Sequence, residues 1–230
     1  MKFCPFLFVL LFAACLCSAQ DTVNRRNKLL NSVVEKYKII KGDNDTRVGA
    51  YKAFYRRRTI IAEGNYDKGK KAGVWSFYDK DGTLSEKYDY DKSEFLYESA
   101  IDSTSDVHFG FDADVNPGDR LTRPVRIGGA FYGFIPYLHA FRLPFETDGL
   151  DVDYIDAVVE LLISPGGRLA DYKIHLLSDY YDYKQSFNFD TSLFSEEDKK
   201  FAPATLNHRP ILSRIFIRCS VNNNGSLDFY

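Results

Sequence analysis

The residue types that most often carry chemistry are present in this chain, but their spacing builds no reactive group. His108, His139, His175 and His208 are far apart and match no metal-ligand spacing. There is no His-Glu-x-x-His, no paired Cys-x-x-Cys and no Gly-x-Ser-x-Gly. Ser164-Pro165-Gly166-Gly167 is glycine-rich, yet it reads as a hairpin turn without the following helix that a phosphate cradle needs. Asp112-x-Asp114-x-Asn116-x-Gly118 has the acidic spacing of a calcium loop. It lacks the closing glutamate and carries Pro117, so it reads as polar linker. Of the carboxylate pairs, Glu196/Glu197 is explained by helix capping and the helix dipole, and Asp151/Asp153 has no pocket assigned to it. Cys219 reads as a small buried hydrophobe in a strand. The expectation is a protein that is not an enzyme, with no cofactor and no metal.

Composition narrows the class. The chain has 230 residues, 45% hydrophobic and 16% aromatic, with 16 Tyr and 19 Phe against one Met, a usage that favours β-structure. Thirty Lys and Arg stand against 32 Asp and Glu, and a net charge of −2 argues against a general nucleic-acid binder. Lys2 precedes the almost wholly apolar Cys4–Cys17, and Cys17-Ser18-Ala19 is a small-residue site ahead of Gln20. Residues 1–19 therefore read as a secretory signal peptide cut after Ala19, which makes the mature chain periplasmic or secreted. Phe12-Ala13-Ala14-Cys15 is a loose lipoprotein box, so lipidation of Cys15 is the alternative. Membrane association would require that lipid or a retained N-terminus. After cleavage only Cys219 remains, and the fold must stand without an internal disulfide.

The clearest element is a hairpin over Ala157–Leu177. With Gly166-Gly167 as a two-residue turn, Ile163 faces Ala170, Leu161 faces Tyr172 and Val159 faces Ile174, while Glu160 meets Lys173 on the other side. Upstream, residues 20–31 are polar, frayed or a short helix, and Val33–Ile40 is a first strand. Gly49–Lys92 repeats with a period of 24: Gly49 aligns with Gly73, Tyr51 with Trp75, and Tyr66-Asp67-Lys68 with Tyr90-Asp91-Lys92. Each copy is a hairpin, and the second pairs Trp75 with Tyr88 across an Asp81-Gly82 turn. In the first copy Arg56-Arg57-Arg58 occupies the turn. Residues 93–122 read as a linker. In 123–230, helical spacing predicts a helix over Phe131–Leu143 with Pro136 in its first turn and Pro144 ending it. A capping box at Ser195-Glu196-Glu197-Asp198 predicts a second helix, and Leu212–Val221 is a third strand.

Two stretches carry resemblances. Gly64-Asn65-Tyr66-x-x-Gly69-Lys70-Lys71-x-Gly73-x-Trp75-x-Phe77-Tyr78-x-x-x-Gly82 resembles the MORN-variant repeat of exported bacterial proteins, placing such a sheet over residues 33–92. Residues 123–230 resemble the C-terminal domain of TonB-type energy transducers. The residues concerned are Gly128-Gly129 before the helix, Pro144 after it, the strand ending at Gly167, Phe201-x-Pro203-Ala204, and Arg209-Pro210-Ile211 before the last strand. The family usually has Trp where Phe201 stands.

The expected fold class is thus α+β and β-rich: N-terminal antiparallel repeat hairpins plus a two-layer sandwich with a three-stranded antiparallel sheet. The resemblances imply a non-enzymatic envelope protein that binds a protein or peptide, within TonB-linked outer-membrane transport. The partner would be an outer-membrane transporter segment added by β-augmentation along the last strand, at Leu212, Arg214, Phe216, Arg218 and Ser220. The alternative is a periplasmic or surface scaffold, adhesin-like, that uses the aromatic repeat face of Tyr51, Trp75, Phe77 and Tyr88.

Overall fold

A computed structural model of the chain describes residues 21–43, 45–100, 106–143 and 151–230. The proposed signal peptide, Cys15 and Pro144 lie outside the described residues.

Seven strands form the first sheet: β1 Thr22–Lys28, β2 Val33–Ile40, β3 Arg47–Tyr55, β4 Thr59–Asp67, β5 Lys70–Tyr78, β6 Leu84–Asp89 and β7 Glu94–Glu98. They pair antiparallel in chain order. The polar stretch expected to be frayed or helical is strand β1, whose backbone pairs with β2 from Thr22 to Lys28. The expected linker is not a linker either, because its first residues make β7.

The 24-residue offset is visible in the pairing. The β3–β4 register slips between Ala53 and Phe54, and the β5–β6 register slips between Phe77 and Tyr78, the corresponding positions. Trp75 stands opposite Tyr88. Gly49 and Gly73 both sit at positive φ, +66° and +63°, where a side chain would be strained.

The second sheet has six strands rather than three. β8 Val107–Phe111, β10 Asp156–Ile163, β11 Leu169–Ser178, β12 Tyr183–Phe189, β15 Ser213–Val221 and β16 Leu227–Phe229 make it up. Its order is β12-β11-β10-β15-β16, with β8 also pairing β15. Three short strands, β9 Leu121–Thr122, β13 Thr205–Leu206 and β14 Arg209–Pro210, pair beside it.

The hairpin register holds for Leu161–Tyr172, Val159–Ile174 and Glu160–Lys173, but Ile163 faces Leu169 rather than Ala170. The reason lies in the turn. Gly167 N–H donates to the Ser164 carbonyl at 2.9 Å, and of the two glycines only Gly167 takes positive φ. The loop is therefore longer than a two-residue primed turn and ends in a glycine bulge.

Helix is scarcer than expected. One 3-10 turn over Tyr132–Phe134 leads into helix α1, Ile135–His139, with Pro136 in its first turn. The helix expected from Ser195 stops after a single turn. Half of its box forms, with the Asp198 N–H on Ser195 Oγ at 3.2 Å, while the Asp198 carboxylate takes the Ser195 hydroxyl at 2.6 Å. The chain then turns aside, because Leu169 N–H donates to the Lys199 carbonyl and Phe201 N–H to the Gly167 carbonyl. Tertiary pairing overrides the local signal.

The two sheets share one core. Tyr51, Trp75 and Phe77 of the first sheet and Val159, Ile174 and Ile217 of the second belong to a single buried cluster. Phe131 bridges them, with ring centroids 5.3 Å from Tyr55 and 4.1 Å from Phe229.

Candidate functional site

A cleft of about 450 Å³ opens between the first sheet, the segment around α1 and the turn at Ser195. Burial decides its chemistry. Glu35, on the inner face of β2, is 1% exposed. Its carboxylate takes both terminal nitrogens of Arg47 at 2.9 and 3.0 Å, the Tyr51 hydroxyl at 2.9 Å and the Asn27 amide at 3.0 Å. Tyr51 and Tyr132 share a hydrogen bond of 2.7 Å across the layers. Burial pushes the Tyr51 and Tyr132 hydroxyls well above the ordinary phenol range. Lys71 meets Glu197 at 2.9 Å, and Arg126 meets Asp198 at 2.5 Å.

These partners satisfy one another. The arrangement clamps two layers together. Within the cleft the Ser195 hydroxyl donates to the Asp198 carboxylate at 2.6 Å, and that carboxylate is also held by Arg126. Among the described residues no group of three His, Cys, Asp or Glu is placed to hold a metal. The histidines stay apart: His139 faces the Leu29 carbonyl at 2.8 Å, and His175 lies between Glu160 and Ser186, each at 2.7 Å. Cys219 is fully buried, and burial pushes its thiol well above the ordinary range, so it is a poor nucleophile.

The second clamp is smaller. Glu86 of β6, 1% exposed, accepts the Gly128 N–H at 2.8 Å and the Gly129 N–H at 3.1 Å. Burial pushes this carboxyl up to about 7, against the pull of the two amides. Both glycines take positive φ. The Gly128-Gly129 pair of the sequence thus docks the second half of the chain onto the first.

Neither sequence-derived binding surface is open. The strand expected over Leu212–Val221 is not an edge: β15 pairs with β10 from Ser213 to Ser220 on one side, and with β8 and β16 on the other. Arg214, Phe216, Arg218 and Ser220 therefore have no free backbone to offer, and Leu212 N-terminal to them gives its carbonyl to Asp112 N–H. Arg214 is tied to Asp112 at 2.6 Å and to Glu160 at 3.1 Å. The repeat aromatics Tyr51, Trp75, Phe77 and Tyr88 are buried core, none more than 8% exposed, so they present no contact face.

An open edge lies elsewhere. Among the described residues β7 pairs only with β6 and ends the first sheet. Every residue of Glu94-Phe95-Leu96-Tyr97-Glu98 is exposed, Leu96 at 48% and Tyr97 at 44%. Three consecutive apolar residues between glutamates were the available signal, inside a stretch read as linker.

No protein family, curated protein or solved structure matches this chain. Among the described residues no helix is long and apolar enough to cross a membrane.

Proposed function

We propose that this chain is a non-catalytic, exported protein of a bacterial envelope that captures an extended segment of a protein partner on the edge of strand β7. The single observation that carries the reading is that edge: five exposed residues, a row of backbone donors and acceptors with no strand partner among the described residues, and three apolar side chains beside it. An extended peptide can add there as an eighth strand, with backbone hydrogen bonds supplying affinity and alternate side chains supplying choice. Edge strands are ordinarily blunted with charge or proline. β12, the outer strand of the second sheet, is polar along its exposed side at Lys184, Ser186 and Asn188, whereas β7 keeps its charges, Glu94 and Glu98, at its two ends and leaves Phe95, Leu96 and Tyr97 between them.

The apolar N-terminus supports export. The resemblance to MORN-variant repeats supports a scaffold built from a repeated hairpin, and the resemblance to TonB C-terminal domains makes a segment of an outer-membrane transporter the partner we place first. The adhesin-like alternative through the repeat aromatics loses its surface to the core.

The test compares Leu96→Pro and Leu96→Lys with the parent chain in panning of extended peptides. Both variants should lose captured peptides at least about tenfold while melting within a few degrees of the parent. Unchanged capture by Leu96→Pro would remove β7 as the site.

A further inference from the structure

The outer face of β1–β3 is arranged against its own stability. Arg26, Lys36 and Lys52 stand directly opposite one another across the three strands, and all are exposed. Neighbouring strands lie ~4.8 Å apart, and like charges directly opposite destabilise a sheet. Lys52 finds Glu63 at 3.0 Å. Arg26, Lys28, Lys36 and Lys38 have no ion pair among the described residues. The row borders a shallow groove of about 430 Å³ that Asn24, Lys38 and Phe54 also line.

The adjoining hairpin tip adds a second cost. Arg58 N–H donates to the Tyr55 carbonyl at 3.0 Å, closing a turn whose central residues, Arg56 and Arg57, sit at φ +45° and +63°. A turn of that shape is the natural place for Asn-Gly, and arginine is strained there. Arg56 lies over the Tyr55 ring at 5.0 Å, and all three arginines are exposed. Between Asp21 and Lys70 the chain holds 13 Lys and Arg against 6 Asp and Glu, although the whole protein is at −2.

Apart from the stacking of Arg56 on Tyr55, the strained arginines and the self-repelling cation row cost the fold more than they give it. Both are accounted for by an anionic ligand. We propose that the outer face of β1–β3, with the Arg56–Arg58 tip, is a docking site for an acidic, extended polypeptide segment with carboxylates on alternate residues. Cations two residues apart on one strand face, Arg26 with Lys28 and Lys36 with Lys38, repeat every ~6.7 Å, which is also the spacing of alternate side chains along an extended peptide. Guanidinium and ammonium groups are suited to carboxylates. Stacked bases find no platform here, because the Phe54 ring is covered by Lys36 at 4.8 Å and the Tyr37 ring by Arg47 at 4.1 Å. This surface is separate from the β7 edge and does not depend on it.

The experiment measures fluorescence anisotropy of the full chain with a labelled 12-residue peptide of alternating Glu and Ser. Its comparator is an isomer with the glutamates clustered at one end. The alternating peptide should bind several-fold tighter than the isomer. Its affinity should fall about tenfold between 50 and 300 mM salt. Lys36→Gln/Lys38→Gln should weaken it by about tenfold, while Lys173→Gln on the second sheet leaves it unchanged. Arg56→Asn/Arg57→Gly should weaken binding yet raise Tm, since it relaxes the turn. Peptide affinity unchanged by both double variants overturns the proposal. So does tighter retention on duplex DNA or on anionic vesicles than on the peptide at 150 mM salt, or salt-sensitive self-association of the chain without peptide binding.

Discussion

Gly64 shows how one missing methyl group can organise a sheet. It sits on β4, and a Cβ built there would come within 2.3 Å of the Trp75 ring. The indole instead lies flat across β4, fully buried, and donates from Nε1 to the Asn65 carbonyl at 3.1 Å. Its ring is ringed by Tyr51 at 5.1 Å and Tyr66 at 5.2 Å. Gly64→Ala must push the indole out of this cage, because the atoms it meets are the ring itself. The expected loss is about 2–4 kcal/mol, an overpacking cost at the heart of the core. Urea denaturation would measure it, and the single Trp fluorescence should shift to the red in the native state. Sequence alone pointed to this pair, since the motif that carries Gly64 also carries Trp75. It gave no means of knowing that the aromatics face inward, because alternation in a strand names two faces without saying which is covered.

At the level of elements, central strands were legible and edge strands were not. The β10–β11 hairpin declared its register because its apolar row and its Glu160–Lys173 pair disagree with every slipped alternative. β1 and β7 lie at the margins of the first sheet with almost no buried residue, so they leave no period-2 hydrophobic signal. β8 is short and follows a polar stretch. Missing β8 and β16 made β15 look like an edge. That placement has a measurable consequence. Arg218 N–H donates to the Asp106 carbonyl at 2.9 Å, and its neighbours Ile217 and Cys219 are fully buried. Arg218→Pro therefore removes a donor from an interior strand. It should cost 3 kcal/mol or more, leaving little folded protein by circular dichroism at 37 °C. Ile217→Asp should do the same by burying an unpaired charge. If either variant melts like the parent, β15 is not interior.

The whole molecule is held by contacts between layers, and one of them titrates. Glu86 on β6 grips the Gly128 and Gly129 amides, so its charge state is part of the joint between the two sheets. Its carboxyl is pushed up to about 7 by burial from an ordinary value of 4.5. Below 4.5 both folded and unfolded chains hold the proton, and Glu86 adds no pH dependence. Between 4.5 and 7 the unfolded chain has released the proton and the folded chain keeps it. Stability then falls as pH rises, by about 1.4 kcal/mol per unit and about 3 kcal/mol in all, and levels off above 7. Glu86→Gln removes the titration. It also loses one of the two amide bonds, because a side-chain amide offers a single acceptor oxygen; that costs about 1 kcal/mol. The two melting curves should consequently cross: the variant below the parent at pH 5 and above it at pH 8. Tm measured at half-unit steps from pH 5 to 8 reads this directly, and the difference between the two proteins cancels every other group that titrates in the range. Parallel curves would mean that the amides, rather than burial, set the carboxyl's charge, and that the joint between the sheets is an ionised clamp at every pH in which the protein folds.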